Sequence, residues 1–336
     1  MRIVMTGGTG FIGSAVLRQL ASVRAAERSD VLVRVLGRTP AQQVTALSDE
    51  WVRADLSEPG TLVGACQDAD VLLHLGGTLS PDPKVCHATN VVGSAALMRE
   101  AQRAGVRRII HLSTAAVYGR GPHHGLAVDE VSPLPVSPAS ASRLLAERYA
   151  LAAGATVLRP GLVLGEGDRW VVRALAELVE RVPALWDGGR ARHSAVTVQS
   201  LAGLIAELAL RNKSVGTGTF HASHPEPVTT AELLDALVDL GVLGRVFESW
   251  PWKRCLAAFR ATTGAVSERQ FSLLAQEHWY ISEDIWNKAA LAPGAAPHQQ
   301  LVGARDWYLS LTHRSTATVR RGATGQPSAA AVGGAG

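Results

Sequence analysis

Three glycine residues near the start of the chain have the spacing of a dinucleotide-binding loop. The segment Thr6–Gly13 reads TGGTGFIG, and it joins a predicted strand to a helix whose apolar residues recur at helical spacing. Gly7 permits a tight turn, Gly10 lets the backbone approach a pyrophosphate, and Gly13 allows the helix to pack closely on the strand. The N-terminus of that helix offers unpaired N–H groups to the phosphates. The pattern predicts a cofactor site formed by Gly7, Thr9, Gly10, Phe11, Ile12 and Gly13, with a ligand-free glycine turn as the alternative.

The residues after the second predicted strand bear on the choice between NAD and NADP. An NAD site usually has an acidic residue there, which accepts the ribose hydroxyls. Here Gly37 leaves room for a 2′-phosphate, and Arg38 can pair with that phosphate and stack on adenine. Arg34 could add positive charge, and Asp55 and Leu56 would contact the adenine edge. The sequence favours NADP, with NAD possible and a solvated Arg38 as the alternative.

The composition fits a globular α/β protein and narrows the classes of function. The 336 residues are 47% hydrophobic and carry a net charge of +4, with a pI near 9.2. The arginines are spread along the chain without a run of like charges, so a nucleic-acid partner is not indicated. The sequence shows no secretory leader and no apolar stretch long enough to span a membrane, and we expect a cytoplasmic protein without a membrane partner.

The three cysteines do not indicate a disulfide framework or a metal site. Cys66, Cys86 and Cys255 are far apart and form no CxxC pair. We expect thiols in a reducing compartment and predict no metal.

The order of predicted elements is that of a doubly wound fold. Short apolar runs alternate with helical patterns in the first half, as in βαβ units around a parallel sheet. We expect a Rossmann-type α/β core over residues 1–160, a smaller mixed α/β substrate-binding region over 161–314, and a disordered tail over 315–336. Some later segments should return to the core. The predicted strands are 2–6, 31–36, 71–75, 108–113 and 156–159, with an extended piece at 218–222, and the predicted helices are 90–104, 140–152, 171–181, 198–211 and 230–240.

Several longer segments resemble the extended short-chain dehydrogenase/reductase family, which contains NAD(P)-dependent epimerases, dehydratases and ketoreductases. Besides the glycine loop they are DADVLLHLGG at 68–77, NVVGSAALMREAQRAGVRRIIHLSTAAVYG at 90–119 and LRPGLVLGEGDR at 158–169. The resemblance covers about residues 1–310. It implies the fold above and a nicotinamide cofactor, and it extends the cofactor site to Leu75, Gly76 and Pro160. The C-terminal segment is more similar to the ketoreductase and dihydroflavonol-reductase-like branches than to the sugar epimerases.

In this family a Ser or Thr, a Tyr and a Lys carry out the chemistry. The Ser/Thr orients the substrate oxygen, and its position matches Thr114, with Ser113 as a second candidate. The Tyr moves the proton, while the Lys lowers the pKa of that Tyr and holds the nicotinamide ribose. In SPASASRLLAE at 137–147 the flanking residues place Ala139 at the Tyr position and Arg143 at the Lys position. Alanine cannot move a proton, and arginine can hold a ribose hydroxyl but cannot titrate.

Other residues could supply the missing proton, each against a structural alternative. Tyr118 lies at the predicted mouth of the sheet, where packing in a Val-Tyr-Gly turn is the stronger expectation. His123 and His124 follow in a loop that borders the substrate in this family, yet paired loop histidines are more often exposed. Asp129 and Glu130 match an acidic pair that is sometimes catalytic in dehydratases and more often structural.

A further family position also differs. The Arg that often contacts phosphate in nucleotide-sugar enzymes aligns with His193, and the Asp that follows it aligns with Ser200. Arg190 and Arg192 are close by and could compensate. His193 could instead face the pocket, with packing or surface exposure as the alternative. A nucleotide-sugar substrate is therefore less strongly implied than the fold.

Three functions are compatible with these residues. The favoured one is an NADP-dependent oxidoreductase acting on a small carbonyl or hydroxyl compound, sugar-derived or a secondary metabolite, with Thr114 polarising the oxygen. The second is a non-redox cyclase, dehydratase or isomerase that keeps NADP as a bound scaffold, and the third is an NADP(H)-sensing binding protein. The resemblance also implies a homodimer through the helices at 90–104 and 140–152, against burial of these helices on the protein's own sheet.

Overall fold

In the computed structural model the described residues are 1–27, 30–211 and 215–312. The predicted disordered tail, 315–336, lies outside them. The strands are β1 (Arg2–Thr6), β2 (Leu32–Gly37), β3 (Glu50–Arg53), β4 (Val71–His74), β5 (Arg108–Leu112), β6 (His123–Leu126), β7 (Thr156–Arg159), β8 (Leu162–Leu164), β9 (Leu185–Trp186), β10 (Arg192–His193), β11 (Ala195–Thr197), β12 (Gly218–His221), β13 (Val228–Thr229), β14 (Ser249–Trp250) and β15 (His278–Tyr280).

Helices separate most of these strands, as the alternating pattern predicts. They are α1 (Phe11–Glu27), α2 (Gln42–Thr45), α3 (Pro83–Cys86), α4 (Ser94–Arg103), α5 (Pro138–Ala152), α6 (Val171–Arg181), α7 (Val198–Leu210), α8 (Thr230–Asp239), α9 (Trp252–Arg260), α10 (Glu268–Ala275) and α11 (Glu283–Ala289). A π-helical segment, His87–Gly93, leads directly into α4.

The apolar runs of the first half form one parallel sheet. Its order is β12-β7-β5-β4-β1-β2-β3, and all neighbouring strands in it run parallel. The chain order reverses between β1 and β4, which is where doubly wound sheets bind ligands beyond the carboxyl ends of their strands. The predicted Rossmann-type α/β fold is confirmed.

Both faces of this sheet are covered, which explains why its strands are nearly all apolar. Alternate residues of β1 point to opposite faces: Ile3 and Met5 belong to the core cluster beneath α1 and α7, and Val4 belongs to the cluster beneath α4. The predicted helix at 140–152 begins two residues earlier, at Pro138, because Ser137 caps it in a reciprocal pair with Ser140.

The later half of the chain contributes to both layers of the molecule. Strand β12 joins the edge of the large sheet and α7 packs on α1, whereas a four-stranded sheet, β13-β10-β15-β6, forms separately. A second core cluster around Trp186 and Phe271 fixes α6, α8 and α10. The boundary at residue 160 stays a prediction, because later segments complete the large sheet.

Two further expectations from the sequence concern membrane-spanning helices and metal-binding side chains. None of the helices in the described ranges combines the length and the apolar character needed to cross a membrane. Within residues 1–27, 30–211 and 215–312, no three His, Cys, Asp or Glu side chains are grouped so that they could hold a metal ion. The three cysteines are buried and free.

Candidate cofactor and substrate site

The glycine loop brings the first turn of α1 against β1 and the end of β4. Gly7 has a φ of +79°, and a Cβ there would lie 2.7 Å from the backbone nitrogen of Gly76. A Cβ on Gly13 would lie 2.0 Å from the carbonyl oxygen of Gly7, closer than any side chain can approach. Gly10 N donates a hydrogen bond to Gly7 O at 2.9 Å and closes the turn. These contacts require glycine and fit the close approach of a dinucleotide.

A cavity of about 1170 Å³ extends from this loop across the carboxyl ends of the central strands to the start of α5. Most residues of the predicted site line it: Gly7, Thr9, Gly10, Phe11, Ile12, Gly13, Arg38, Asp55, Leu56, Leu75, Gly76, Ser113, Thr114, Arg143 and Pro160. Tyr118 is not among the lining residues. One continuous space therefore connects the glycine loop with the residues aligned to the family's catalytic positions.

The end of the cavity beside β2 carries an exposed arginine. Arg38 follows β2 directly and lines the cavity together with Asp55. Asp55 Oδ1 accepts hydrogen bonds from Ser57 N and Ser57 Oγ at 2.8 and 2.7 Å. Although partial burial opposes it, these bonds and the charge of Arg38 hold the pKa of the Asp55 carboxyl below its usual value. The guanidinium of Arg38 forms no ion pair within the part of the chain that the structure describes, so it is available to a ligand.

Arg34 does not add charge to this end, and that expectation was wrong. Its Nε donates to Glu50 Oε2 at 2.7 Å, and its Nη1 donates to the carbonyl oxygens of Ala65 and Gln67 at 3.1 and 2.9 Å. The side chain is thus held by the neighbouring strand and loop instead of by a cofactor.

The two hydroxyl candidates after β5 have different environments. Ser113 is buried, and its Oγ donates to a carboxylate oxygen of Glu147. Thr114 is partly exposed to the cavity, and its Oγ1 accepts a hydrogen bond from Ala116 N at 3.1 Å. The Thr114 hydroxyl therefore keeps its own proton available for a carbonyl oxygen, whereas that of Ser113 is already used.

The two residues that replace the family's Tyr and Lys lie on one face of the first turns of α5. Ala139 and Arg143 are four residues apart and both line the cavity. Arg143 Nη1 donates to the carbonyl oxygen of Leu112 at 3.2 Å. Burial lowers the pKa of the Arg143 guanidinium, and the neighbouring Cys86 opposes that shift.

Tyr118 belongs to a buried polar network rather than to the cavity, which corrects the prediction that it could be a catalytic residue. Arg159 Nη1 donates to Tyr118 Oη at 2.8 Å, and Tyr118 Oη lies 2.6 Å from His221 Nε2. Arg159 also forms an ion pair with Glu147, with Nη2 and Oε2 2.5 Å apart. Burial raises the pKa of Tyr118. The tyrosine packs in its turn, as the alternative interpretation held.

The remaining loop candidates also lie outside the cavity lining. His123 is buried in β6, where its ring packs on those of Tyr118 and His278 and where burial lowers its pKa. His124 is exposed, with its Nδ1 3.5 Å from a carboxylate oxygen of Glu277. Asp129 and Glu130 are exposed as well, and Glu130 Oε2 accepts a hydrogen bond from Ala127 N.

The segment aligned to the phosphate-contacting Arg faces away from the cavity. His193 is buried, its Nε2 lies 2.9 Å from Thr230 Oγ1, and burial lowers its pKa to about 3. Arg192 lies over the Trp279 ring at 4.5 Å. Arg190 is 80% exposed. Ser200 bonds within its own helix start and to Gln300. No cation of residues 190–193 lines the cavity.

A pair of histidines beneath the reaction end was missed by the sequence analysis. His74 Nδ1 lies 2.8 Å from Thr6 Oγ1, and its Nε2 lies 2.7 Å from Ser94 Oγ. The ring of His111 is 5.0 Å from that of His74. Burial lowers the pKa of His74 to about 3, and the charge of Arg143 adds to that shift. The sequence feature that could have revealed them is a histidine in each of two largely apolar strands, His74 in β4 and His111 in β5. A histidine in such a strand indicates a neutral, buried ring.

Asn90 ties the loop after β4 to α5 and was also missed. Its Nδ2 donates to Ser142 Oγ at 2.9 Å and to Thr78 O at 3.0 Å, while its Oδ1 accepts from Thr78 N. This bridge fixes Thr78, which lines the cavity, relative to the helix that carries Ala139.

Comparisons with known sequences agree with this geometry. The model of the NAD dependent epimerase/dehydratase family matches residues 3–219. A 2-alkyl-3-oxoalkanoate reductase of Stenotrophomonas maltophilia is 31% identical over 293 residues, which are 82% of this chain and 84% of that protein. A 4-hydroxy-2-methyl-3-oxo-4-farnesyl-3,4-dihydroquinoline-1-oxide ketoreductase of Stigmatella aurantiaca is 31% identical over 201 residues, 56% of this chain and 59% of that protein.

Solved structures share the architecture at low sequence identity. UDP-glucose 4-epimerase of Thermotoga maritima with UDP-glucose superposes with a TM-score of 0.69 at 18% identity, covering 94% of this chain and 100% of that one. UDP-glucuronic acid 4-epimerase of Bacillus cereus in complex with NAD gives 0.67 at 18% identity, covering 93% and 99%. At these identities the likeness establishes the fold.

Proposed function

The chain belongs to the NAD-dependent epimerase/dehydratase family of extended short-chain dehydrogenases/reductases, and from that premise we propose that it is an NADP-dependent ketoreductase. The family consists of nicotinamide-dependent enzymes. The observation that carries the proposal is the placement of Arg38: a guanidinium directly after β2, without an ion pair to any residue that the structure describes, on a cavity whose other end presents the Thr114 hydroxyl.

The cofactor end fits a phosphorylated dinucleotide. Glycine at positions 7 and 13 lets the loop pack directly against the end of β4 and the start of α1, and the N–H groups at that helix N-terminus can bind the pyrophosphate. Arg38 has the donors to pair with a 2′-phosphate, and the strand end lacks the carboxylate that an NAD site uses. We therefore assign NADP rather than NAD.

The cavity supports a carbonyl substrate that carries an apolar chain. Its lining includes the apolar side chains of Leu79, Val85, Ala116 and Val163. His193, which aligns with the phosphate-contacting Arg of nucleotide-sugar enzymes, and its neighbours Arg190 and Arg192 do not line the cavity, which argues against a nucleotide sugar. One relative is named as a reductase of 2-alkyl-3-oxoalkanoates. We propose a 3-oxo acid with an alkyl chain as the substrate class.

Because Ala139 and Arg143 replace the family's Tyr and Lys, the residues at the Thr114 end can perform only part of the reduction. The bound cofactor supplies the hydride that reduces the carbonyl carbon. Thr114 donates a hydrogen bond to the carbonyl oxygen and holds it in place. Since neither Ala139 nor Arg143 can release a proton, the oxygen takes its proton from water in the cavity. We therefore expect slow carbonyl reduction, with an affinity for the cofactor that the missing proton donor does not reduce.

The test compares NADPH and NADH with the intact protein and with Arg38→Ser. Binding is followed by cofactor fluorescence, and turnover by NADPH absorbance with a 2-alkyl-3-oxo acid and, separately, a 4-keto nucleotide sugar. We expect NADPH to bind more tightly than NADH and the variant to reduce that preference about 10- to 100-fold, since a hydrogen bond to a charged group contributes about 1.5–3 kcal/mol. Arg53→Ser, which removes an exposed arginine at the end of β3 that does not line the cavity, is the matched control.

Two outcomes contradict the proposal. Equal affinity for the two cofactors would remove the NADP assignment. Tight NADPH binding without reduction of any carbonyl compound would favour the scaffold or sensor functions instead.

We also propose a homodimer through α4, α5 and the π-helical segment before α4. Val92, Leu145 and Tyr149 are exposed there at 39%, 38% and 45%. Sedimentation of the protein and of Leu145→Glu tests this: a dimer that the variant converts to a monomer supports the proposal, and a monomer in both cases contradicts it.

A further inference from the structure

Trp51 brings an indole ring to the end of the cavity beside β2. It lies on β3, opposite Val35 of β2, and it packs on the core cluster beneath α1 and α7. Trp51 lines the cavity together with Gly37 and Arg38. It therefore belongs to the same wall as the arginine that we assign to the 2′-phosphate.

The indole nitrogen of Trp51 lies beside Gly37. A Cβ on Gly37 would lie 3.3 Å from Nε1, and no other atom of the described residues lies within 4 Å of that position, the chain neighbours of Gly37 aside. Any larger side chain at position 37 would crowd the nitrogen and cover it. Glycine leaves the nitrogen uncovered, next to open space.

The N–H group of this indole is accessible and has no acceptor in the protein. Nε1 of the half-buried Trp51 retains accessible surface, and it forms no hydrogen bond with any residue that the structure describes. In contrast, Nε1 of Trp286 donates to Ser223 O at 2.7 Å. An indole N–H can donate but cannot accept, and in proteins it usually has a partner. The Trp51 nitrogen is therefore available to an acceptor that enters the cavity.

The carboxylates nearest in the sequence do not use this donor. Glu50 precedes Trp51, and its Oε2 pairs with Arg34 Nε at 2.7 Å. Asp55 follows β3, and its Oδ1 accepts two hydrogen bonds from Ser57. Both carboxylates have donors elsewhere in the protein, which leaves the indole N–H to a ligand.

A phosphate group fits the two donors that border this space. Arg38 directly follows Gly37, and it forms no ion pair within the part of the chain that the structure describes. A phosphate carries negative charge and three strong acceptor oxygens, so it can accept from a guanidinium and an indole N–H together. A ribose hydroxyl is a neutral, single acceptor and can satisfy only one of them well.

We propose that Trp51 Nε1 donates a hydrogen bond to the 2′-phosphate of NADP, with Arg38 supplying the opposite charge. Gly37 is needed between them because a side chain there would cover the indole nitrogen. This inference rests on the proposed choice of NADP. It adds a second, uncharged determinant of that choice, on β3 rather than after β2.

The test measures the binding of adenosine 2′,5′-bisphosphate and of adenosine 5′-phosphate to the full chain by calorimetry. We expect the unaltered protein to prefer the bisphosphate. Trp51→Phe keeps an aromatic ring but removes the N–H, and it should lower that preference about 10-fold, because a hydrogen bond to a charged acceptor is lost. Trp170→Phe is the matched control and should leave the preference unchanged, since Trp170 is 37% exposed and outside the cavity lining.

A second measurement uses the unaltered protein and does not depend on the folding of a variant. The chain has eight tryptophans. In the NMR spectrum one indole N–H signal should move when the bisphosphate replaces the monophosphate, and that signal should be missing from folded Trp51→Phe. If no indole signal responds to the added 2′-phosphate, the proposal is overturned.

The outcomes separate this inference from the proposed function. If Trp51→Phe keeps the full preference while Arg38→Ser lowers it, the role of Trp51 is overturned and the NADP assignment stands. Equal affinity of the two ligands in the unaltered protein contradicts the NADP assignment and the inference together. Equal weakening of both ligands in Trp51→Phe would mean that the indole contacts adenine, which overturns the hydrogen bond to the phosphate. A failure to reduce carbonyl compounds affects none of these binding measurements.

Discussion

The two ends of the cavity obtain their binding groups in different ways. At the end with the glycine loop, the groups that we propose to bind the phosphates are backbone N–H donors at the start of α1, together with the exposed Arg38. Near the Thr114 end, polar side chains bond to one another: Ser113 donates to Glu147, and Tyr118, which lies outside the cavity lining, accepts from Arg159. A polar side chain near a cleft is a catalytic candidate only if the fold has not already used its donors and acceptors.

The largest effect on cofactor binding should come from adding a methyl group at the glycine loop. Gly13→Ala places a Cβ 2.0 Å from Gly7 O, and only backbone movement relieves that contact. Loss of two charge-assisted hydrogen bonds to the pyrophosphate would weaken NADPH binding about 100-fold or more. Gly203→Ala is the control, because that helical glycine has no atom within 4 Å of its Cβ position. Fluorescence titration of folded protein measures both, and normal affinity in Gly13→Ala would refute the close approach.

At the reaction end the buried network should matter for stability more than for chemistry. Glu147→Gln leaves the Arg159 guanidinium buried without its countercharge, which costs about 3–5 kcal/mol of the free energy of unfolding. Glu268→Gln breaks an ion pair whose side chains are 61% and 45% exposed and should cost at most about 1 kcal/mol. Urea denaturation compares the two variants. If Glu147→Gln kept full stability but lost activity, the network would have to be catalytic and the contrast between the two ends would fail.

Restoring the family's Tyr and Lys should make carbonyl reduction faster. In Ala139→Tyr/Arg143→Lys a phenol stands beside Thr114 and an amine one turn later, which supplies the missing general acid. General acid catalysis contributes about 10²- to 10⁴-fold, so kcat/KM for a neutral ketone should rise about 100-fold. Ala139→Phe/Arg143→Lys carries the same ring without the hydroxyl and should show no gain. Equal rates in the two double variants would mean that space, not proton transfer, limits the reaction.

The sequence was sufficient for the half of the site that depends on backbone geometry. Gly7, Gly13 and Arg38 could be placed because their positions follow from local spacing after a strand. Tyr118 and His193 could not, because their partners, Arg159 and Thr230, are 41 and 37 positions away and only the fold brings them together. The same limit applied to Arg34, whose partner Glu50 lies on the adjacent strand.

The smallest expected effect is on the pH dependence of stability, and it concerns His193, which is buried away from the cavity. Burial lowers the pKa of His193 to about 3, whereas an unfolded histidine titrates near 6.5. Below pH 6.5 the unfolded chain binds a proton that the folded one does not, so stability falls as the pH decreases, by up to about 1.4 kcal/mol per pH unit. His193→Gln should make the decrease between pH 6.5 and 5.5 shallower by about 1 kcal/mol, and exposed His124→Gln should not. Urea denaturation at each pH measures the free energy of unfolding. If its change with pH were the same in His193→Gln, the buried His193 ring would have to accept a proton in the folded protein, which contradicts the prediction.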